Sequence, residues 1–157
     1  MLKKSWKKSG FYQYEISNFS RPGFESKHNT NCWNQHEYLG LGIAAHSYMD
    51  KTRFSNICNL EEYIENIETE NFEKNIIVHE KQELEDIMRE YMILGLRKIN
   101  GVSKDEFFKK FKKSISAVFE DEIKKLKEED LIEESQNTIK LSNKGLDFAN
   151  IVWAEFV

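Results

Sequence analysis

The stretch HNTNCWNQHEYLGLGIAAHS, residues 28–47, concentrates side chains that ligate metals or stack on flat ligands. It holds three of the chain's four histidines, one of its two cysteines and one of its three tryptophans. Imidazole and thiolate groups bind transition metals, including haem iron, and an indole ring offers a face for stacking. The stretch therefore indicates either a metal site or a haem site.

The zinc interpretation depends on whether the segment is helical. His28, Cys32 and His36 would lie on one face of a helix, and His46 or Cys58 could supply a fourth ligand. However, three asparagines in the same segment disfavour a helix, and the paired C-x2-C signature of zinc sites is missing. Histidines at the surface or in ordinary hydrogen bonds are the simpler alternative.

Haem is the second interpretation. His28 or Cys32 could supply an axial ligand to haem iron. Trp33 and the nearby Phe24 could then provide a stacking surface for the porphyrin. The residue types alone do not separate this alternative from zinc.

The bulk composition limits the classes of function. Aromatic residues make up 13% of the chain, which argues against disorder. The net charge of −4 gives no general attraction to nucleic acid or to anionic membranes. No apolar run approaches the ~20 residues that span a bilayer. Two cysteines do not form a disulfide framework, so we predict a cytoplasmic protein with reduced thiols and no membrane insertion.

The first part of the chain contains strand candidates. Residues 11–16 alternate aromatic and polar side chains, and residues 38–45 are apolar on both faces. The second segment is typical of a fully buried strand, in which Gly40 and Gly42 would let another backbone or a ligand approach closely. With so few strands, the first part predicts an incomplete sheet.

The rest of the chain has helical periodicity. The predicted elements are a helix capped by Asn59, a helix over residues 81–100 that stops at Gly101, a short helix capped by Ser103, a helix over residues 115–126, a hairpin formed by residues 131–134 and 138–141, and a last helix capped by Ser142. Three helices, a two-stranded wing and a helix are the order of a winged-helix domain.

The charges argue against DNA binding by such a domain. The helix in the recognition position, residues 116–130, carries more acidic than basic side chains. A helix in the major groove lies between two rows of phosphates, so this charge opposes binding. The compensating feature is the basic cluster at residues 109–113, which is also typical of a solvated helix end. We therefore do not expect nucleic acid to be a partner.

Four blocks of the sequence resemble one known family. They are YEISNF (residues 14–19), RPGFESKHN (21–29), EYLGLGIAAHS (37–47) and YMILGLR (91–97). All four are similar to the oxygen-independent coproporphyrinogen III oxidase-like radical SAM proteins, and within that family to its haem chaperone branch. The resemblance runs from about Gly10 to the last residue.

The resemblance implies an α+β fold and a division of the chain into three parts. Residues 1–58 would be the last strands of a partial radical SAM barrel, and residues 59–77 a connecting helix and linker. Residues 78–157 would be a mostly helical, winged-helix-like C-terminal domain. Barrel strands without their neighbours expose apolar edges, so we expect self-association through residues 11–47.

The resemblance also implies a haem site. The chaperone branch carries a His-Asn-x-x-Tyr-Trp motif implicated in haem binding, and the matching residues here are His28, Asn29, Cys32 and Trp33. Cys32 stands where the family has tyrosine. His28 would then ligate haem iron, Cys32 would be a second candidate ligand, and Trp33 would stack on the porphyrin.

A second set of candidate binding residues comes from the EYLGLGIAAHS block. By the resemblance, Gly40 and Gly42 would lie in a strand that faces the cofactor cavity, with His46 at its end directed into the same space. The alternative is that the two glycines serve packing inside a buried strand.

The departures from the family concern its radical chemistry. The family's [4Fe–4S] cluster needs a C-x3-C-x2-C motif, and this chain has two cysteines, Cys32 and Cys58. The glycine-rich S-adenosylmethionine loop of the family is also missing. We therefore expect that this chain corresponds to the C-terminal part, a fragment, of such a protein. The cluster and S-adenosylmethionine would belong to the intact parent only, with no radical step by this chain alone.

The resemblance leaves more than one function open. It favours a role in porphyrin or haem metabolism, with haem binding and transfer to a haem-acceptor protein. Alternatively, the intact parent is a true coproporphyrinogen III oxidase that carries out oxidative decarboxylation. An alternative of another class is a non-enzymatic winged-helix interaction module.

Overall fold

The computed structural model describes residues 9–157 as an α+β protein with helices and antiparallel sheets. Two compact units are present. The terminal unit comprises the residues up to Gln35 together with Met88–Val157, and the central unit comprises His36–Ile87. The α+β class predicted from the sequence is confirmed.

The helices and strands are short throughout. The helices are α1 Lys27–Trp33, α2 Leu60–Glu68, α3 Leu84–Gly95, α4 Lys104–Phe111, α5 Ile115–Val118, α6 Glu120–Glu128, α7 Asn143–Asp147 and α8 Ala149–Ala154, with a 3-10 helix at Phe72–Asn75. The strands are β1 Tyr12–Gln13, β2 Phe19–Ser20, β3 His46–Met49, β4 Thr52–Asn56, β5 Ile76–Lys81, β6 Val102–Ser103, β7 Ile132–Glu134 and β8 Thr138–Leu141. They form antiparallel sheets in the orders β1-β2, β3-β4-β5 and β6-β8-β7.

An aromatic cluster forms much of the core of the terminal unit. Phe107 lies at its centre, with ring contacts to Tyr91, Phe111 and Phe119, and Phe119 in turn packs edge-on against Phe156. All five side chains are buried. Since these rings come from α3, α4, the end of α5 and the residues after α8, the cluster joins most of the helices of this unit.

The central unit has a different interior. Its buried side chains include Ser47, Ser55, Asn66 and Asn75, and the Asn66 Nδ2 donates a hydrogen bond to the Asn75 Oδ1 at 2.9 Å. Apolar side chains of the same unit are instead exposed: Leu39, Leu41, Ile43, Leu60, Ile64, Ile67, Phe72, Ile76, Ile77 and Val78. Hydrogen-bonded polar side chains therefore form part of its interior.

The predicted helix caps are confirmed. Asn59 Oδ1 accepts from the Glu62 backbone N–H at 3.1 Å, and Ser103 Oγ accepts from Glu106 at 3.3 Å. Ser142 Oγ accepts from Gly145 at 2.9 Å. Each cap satisfies a backbone donor that the first helical turn leaves without a partner. The predicted hairpin is also present as β7 and β8.

The predicted buried strand at residues 38–45 is wrong. Only Tyr38 in this segment makes a strand-like bridge, to Tyr48, and the Leu41 side chain is 85% exposed. Positive φ angles at Gly42 (+97°) and Ala44 (+55°) turn the chain twice. A strand cannot continue through such angles, so regular pairing begins only at His46.

Several other predicted boundaries differ from the structure. The helix predicted for residues 81–100 is restricted to α3, because β5 extends to Lys81 and the helix ends at Gly95 rather than before Gly101. The helix predicted for residues 115–126 is interrupted at Phe119, where φ is −129° and ψ is 40°. The first predicted strand keeps Tyr12–Gln13 and one isolated bridge from Glu15 to Lys98.

Within residues 9–157, no helix has the length and apolar character that crossing a membrane requires.

Adjacent phenylalanines in α4 provide a test of the core. Phe107 is 0% exposed and Phe108 is 54% exposed. We expect Phe107→Ala to lower the free energy of unfolding by about 3–5 kcal/mol, because it leaves a cavity among aromatic rings. Phe108→Ala is the matched control and should cost far less. Urea unfolding followed by circular dichroism measures both; equal losses would contradict the described core.

Candidate functional site

Helix α1 carries the candidate ligands and forms despite its asparagines. Ser26 caps it, since its Oγ accepts from the Asn29 backbone N–H at 3.3 Å and its carbonyl accepts from the Thr30 hydroxyl at 2.9 Å. The expectation that the asparagines prevent a helix is therefore wrong. A cap at one end and side-chain contacts at the other outweigh the weak helix propensity of this segment.

His28 and Cys32 lie one turn apart on α1. The His28 Nε2 and the Cys32 Sγ are 3.9 Å apart, the His28 side chain is exposed, and Cys32 is half-buried. His36 lies beyond the helix, after Gln35 has turned the chain with a φ of +55°. Among the residues the structure describes, no group of three or more His, Cys, Asp or Glu side chains could hold a metal ion. The helix therefore brings together two of the three residues of the zinc alternative.

Trp33, the last residue of α1, has the Arg97 guanidinium over its ring. The Arg97 guanidinium carbon lies 4.3 Å from the centroid of the Trp33 ring and 5.0 Å from that of Trp153. We call Trp33, Arg97 and Trp153 the Trp–Arg–Trp stack. A guanidinium beside the electron-rich faces of two indoles is favoured electrostatically, and the more so where it is shielded from water.

The charge of Arg97 faces a buried carboxylate. Glu15 is 0% exposed, and its Oε2 lies 3.8 Å from a terminal nitrogen of Arg97. Its other oxygen accepts from the Ser17 backbone N–H at 2.8 Å and from the Asn18 Nδ2 at 2.6 Å. Residues Glu15–Asn18 therefore form a tight turn around one carboxylate, which pairs with Arg97.

Backbone hydrogen bonds fix the same region. The Ile16 N–H donates to the Arg97 carbonyl at 3.0 Å, and the Ile99 N–H donates to the Tyr14 carbonyl at 3.1 Å. These bonds flank the bridge between Glu15 and Lys98. The YEISNF block is thus attached to the segment that follows α3, and Arg97 is held by its backbone as well as by its side chain.

The residues after Trp33 attach the end of α1 to the terminal unit. Asn34 Oδ1 accepts from the Lys98 Nζ at 2.6 Å, and Gln35 Oε1 accepts from the Lys110 Nζ at 2.9 Å. The Gln35 Nε2 donates to Glu90 at 2.9 Å. Partial removal from water lowers the pKa of the Lys98 and Lys110 ammonium groups.

Four buried polar atoms in this region have no hydrogen-bond partner within the described residues. They are the Glu15 Oε2, the Trp33 Nε1, the Arg97 Nε and the Trp153 Nε1. Each buried donor or acceptor without a partner costs about 1–3 kcal/mol. All four belong to the Trp–Arg–Trp stack and its carboxylate, so the structure retains this arrangement at an energetic cost.

Gly40, Gly42 and His46 belong to the central unit. A Cβ at Gly40 would collide with the His46 carbonyl oxygen, so the close approach that Gly40 permits is to its own loop. Gly42 adopts a φ of +97° with open space around it, and its carbonyl accepts from the Asn56 Nδ2 at 2.6 Å. The expectation that these glycines lie in a buried strand is wrong, and ligand binding by them stays a prediction.

His46 has a neighbour that the sequence analysis did not identify. Its ring stacks on that of His79 in β5, with centroids 5.6 Å apart, and the His79 Nε2 lies 2.8 Å from the Ser55 Oγ. Both imidazoles are exposed. His79 was not predicted because it is 33 positions beyond His46 and reaches it only through the β3-β4-β5 sheet.

A family model covers the C-terminal part of the chain. Residues 82–148 match the model of the HemN C-terminal domain. This segment is similar to that domain.

Relatives match nearly the whole chain. The heme chaperone HemW of Bacillus subtilis (strain 168) is 39% identical over 150 residues, covering 94% of this chain and 38% of that protein. The heme chaperone HemW of Lactococcus lactis subsp. lactis (strain IL1403) is 35% identical, covering 96% of this chain and 38% of that protein. The resemblance stated from the sequence is confirmed. The chain spans 38% of the length of these curated relatives.

A solved structure shares the fold. The coproporphyrinogen III oxidase HemN of Escherichia coli, a radical SAM enzyme, superposes with a TM-score of 0.73 at 15% identity, over 99% of this chain and 39% of that one. At this identity the likeness concerns the fold alone.

The segment that matches the HemN C-terminal domain contains only part of the Trp–Arg–Trp stack. Arg97 and Lys98 lie within the matched residues 82–148, whereas Trp153 lies after them and Glu15 and Trp33 lie before them. The sequence analysis missed Glu15, Arg97 and Trp153 as functional candidates. Glu15 lies in the YEISNF block and Arg97 in the YMILGLR block. Their position in blocks that carry the family resemblance is the sequence feature that could have identified them.

The buried Glu15 carboxylate provides the test of this region. We expect Glu15→Ala to lower the free energy of unfolding by about 3 kcal/mol, because it removes one partner of a buried ion pair. Glu68→Ala, at an exposed position in α2, should change stability by no more than about 0.5 kcal/mol. Denaturant unfolding compares the two, and a loss for Glu15→Ala as small as that of the control would show that the pair is not important for folding.

Proposed function

We propose that this chain is the C-terminal part of a haem-chaperone-like radical SAM protein, and that it binds haem through α1 for transfer to an acceptor protein. The supporting observation is the exposed imidazole of His28 on a capped helix, within a chain 39% identical to a heme chaperone HemW. In this proposal haem is the molecule that the protein binds and transfers, and it is not a cofactor for a reaction.

The side chains of α1 fit a haem-binding role to different degrees. His28 is exposed and offers imidazole, an ordinary axial ligand of haem iron. Cys32 lies on the same side of the helix at 3.9 Å, so the two are alternative ligands on one face of the porphyrin. We assign ligation to His28, since Cys32 is half-buried. Asn29 is next to His28 in the first turn and is a further position that matches the motif.

Trp33 has a narrower part in this proposal than the sequence suggested. Arg97 covers one face of its ring, and the Trp33 side chain is half-buried. Its contribution to haem binding is therefore through the placement of α1 at least as much as through stacking. Gly40, Gly42 and His46 remain proposed contacts for the porphyrin or cofactor in the whole protein.

The radical chemistry belongs to the whole protein in this proposal. Cys32 and Cys58 are free thiols and do not form the three-cysteine motif of a [4Fe–4S] cluster. We assign the cluster and S-adenosylmethionine to a protein of the relatives' length. With both thiols free, a cytoplasmic location is part of the proposal. The alternative in which the whole protein is a coproporphyrinogen III oxidase rests on the fold shared with HemN.

We also propose finer assignments of the fold. The sheet β6-β8-β7 with α4, α5 and α6 is consistent with a winged-helix-like domain at residues 78–157. Residues 1–58 would be the end of a partial radical SAM barrel, and residues 59–77 the connecting segment. Within the basic cluster, the Lys110 Nζ donates to the Gln35 Oε1 at 2.9 Å, which weakens the case for a nucleic-acid interface.

A haem titration tests the proposed function. We expect wild-type protein to produce a saturable shift of the Soret band, and His28→Ala to abolish it, because the axial ligand is removed. His36→Ala is the matched control: it removes an exposed histidine outside α1 and should bind haem like the wild type.

Cys32→Ser separates the two candidate ligands. If His28 is the ligand, Cys32→Ser binds haem with an unchanged Soret maximum. Loss of binding by Cys32→Ser with retention by His28→Ala would instead assign ligation to the thiolate. No saturable shift in the wild type would contradict haem binding by this chain.

Exposed apolar side chains support the proposal of self-association. Leu39, Leu41 and Ile43 project from one loop of the central unit, with Leu41 85% exposed. Contiguous exposed apolar surface is a typical feature of association sites. We propose that this loop contributes to contacts between copies, within the segment 11–47 indicated by the sequence.

Light scattering over a concentration series tests this. Leu41→Glu should weaken association about tenfold or more, since burying one leucine contributes about 1.5–3 kcal/mol. Val157→Glu is the control, because Val157 is 90% exposed and lies in the terminal unit. Wild-type protein that stays monomeric at all concentrations would rule the proposal out.

A further inference from the structure

The two histidines of the central unit that lie side by side have no role as a pair in the proposed function. His46 is in β3 and His79 is in β5, the two outer strands of the β3-β4-β5 sheet. Ser55 lies on the middle strand directly opposite His46 in the register, and its small side chain is buried. Because Ser55 fills little space, imidazoles from both outer strands can approach each other across β4.

An irregularity in the pairing of β4 with β5 places His79. The register shifts between Arg53 and Phe54, so no residue of β4 lies opposite His79. A residue at such a bulge is left out of the regular ladder and its side chain is redirected, which is common beside functional sites. The redirected imidazole reaches the middle strand, where its Nε2 lies 2.8 Å from the Ser55 Oγ.

The bond to Ser55 prepares His79 for a ligand. When the His79 Nε2–H donates to the Ser55 hydroxyl oxygen, the lone pair of the neutral ring is on Nδ1. Histidines that bind metals usually donate their other ring N–H to an oxygen in this way, which fixes both the tautomer and the ring orientation. Ser55 is buried and so offers this oxygen from a fixed position.

The separation of the two rings fits shared coordination of one ion. Their centroids are 5.6 Å apart and their planes are inclined by 24°. With a metal–nitrogen bond of about 2.0–2.1 Å, a ring centroid lies about 3 Å from the ion, so two imidazoles in a tetrahedral site have centroids about 5–6 Å apart. Both rings are exposed, and rotation about their last torsions can direct one nitrogen of each toward a single point. The strands need not move for this.

We propose that His46 and His79 together bind one divalent transition-metal ion, with Ser55 as the positioning residue of His79. Imidazole nitrogen favours zinc, copper and nickel over magnesium or calcium. Within the described residues no third His, Cys, Asp or Glu side chain joins the pair, so water takes the other coordination positions and the ion is exchangeable. This site goes beyond the proposed function and does not depend on haem binding.

A zinc titration followed by calorimetry tests the site. It is carried out on the Cys32→Ser chain, so that the thiolate of α1 does not compete for the ion. We expect one zinc ion to bind per chain, and we expect His46→Gln and His79→Gln each to weaken binding about tenfold or more, because each removes one of two ligands. The double variant should lose little more than either single variant, since one imidazole alone cannot chelate.

His36→Gln is the matched control, because His36 is an exposed histidine of the same unit and lies outside the pair. It should bind zinc like the parent chain. Equal losses for all three single substitutions would mean that zinc binds surface histidines in general. Losses for His46 and His79 that add in the double variant would show two separate sites. Either result, or no saturable zinc binding, would overturn the proposal.

Nuclear magnetic resonance of the imidazole nitrogens tests the role of Ser55. Without zinc, we expect His79 to carry its proton on Nε2, and zinc should shift the resonances of the His79 Nδ1 and of one His46 nitrogen. Ser55→Ala should allow both tautomers of His79 and weaken zinc binding about tenfold. Ser55→Thr keeps the hydroxyl and should restore both.

An unchanged tautomer and affinity in Ser55→Ala would contradict the positioning role. Zinc binding without any shift of the His46 and His79 resonances would contradict the site itself. The haem titration depends on His28 and none of these measurements does, so a failure of the proposed function and a failure of the metal site are distinguishable.

Discussion

The ion pair between Glu15 and Arg97 is the constraint on which the rest of the terminal unit depends. A fully buried carboxylate must have compensating charge and hydrogen bonds, and Glu15 obtains them from Arg97, Ser17 and Asn18. The pair connects the beginning of the described chain to the segment after α3. Once Arg97 is fixed, both tryptophans have a surface to pack on, and α1 has a point of attachment.

Local features of the sequence predicted much of the fold. Asn59, Ser103 and Ser142 cap the helices that they were expected to cap, because a capping bond involves residues only three positions apart. The hairpin at β7 and β8 was likewise determined by neighbouring residues. The resemblance indicated the family, which the local patterns could not. The helix α1 was not predicted, because its stability comes from a cap and from distant contacts rather than from helix propensity.

Long-range geometry could not be predicted in the same way. The apolar run at residues 38–45 resembled a buried strand, but the positive φ angles at Gly42 and Ala44 make it a loop. The Trp–Arg–Trp stack joins residues 33, 97 and 153, and no local pattern relates positions so far apart. His28, Cys32 and Trp33 were identified as candidates, whereas Arg97, which lies over the Trp33 ring, was not. The chemistry of a site is local in this sequence, whereas its support is not.

The contacts of Arg97 also bear on the order of folding. Seven residues without a buried side chain do not form a stable helix by themselves, so α1 depends on contacts with other segments, one of which joins Trp33 to Arg97. Closing a chain segment between Trp33 and Trp153 carries an entropy cost that local elements do not pay. On the ribosome, a nascent chain therefore completes the contacts of Arg97 with both indole rings only after Trp153 has been translated.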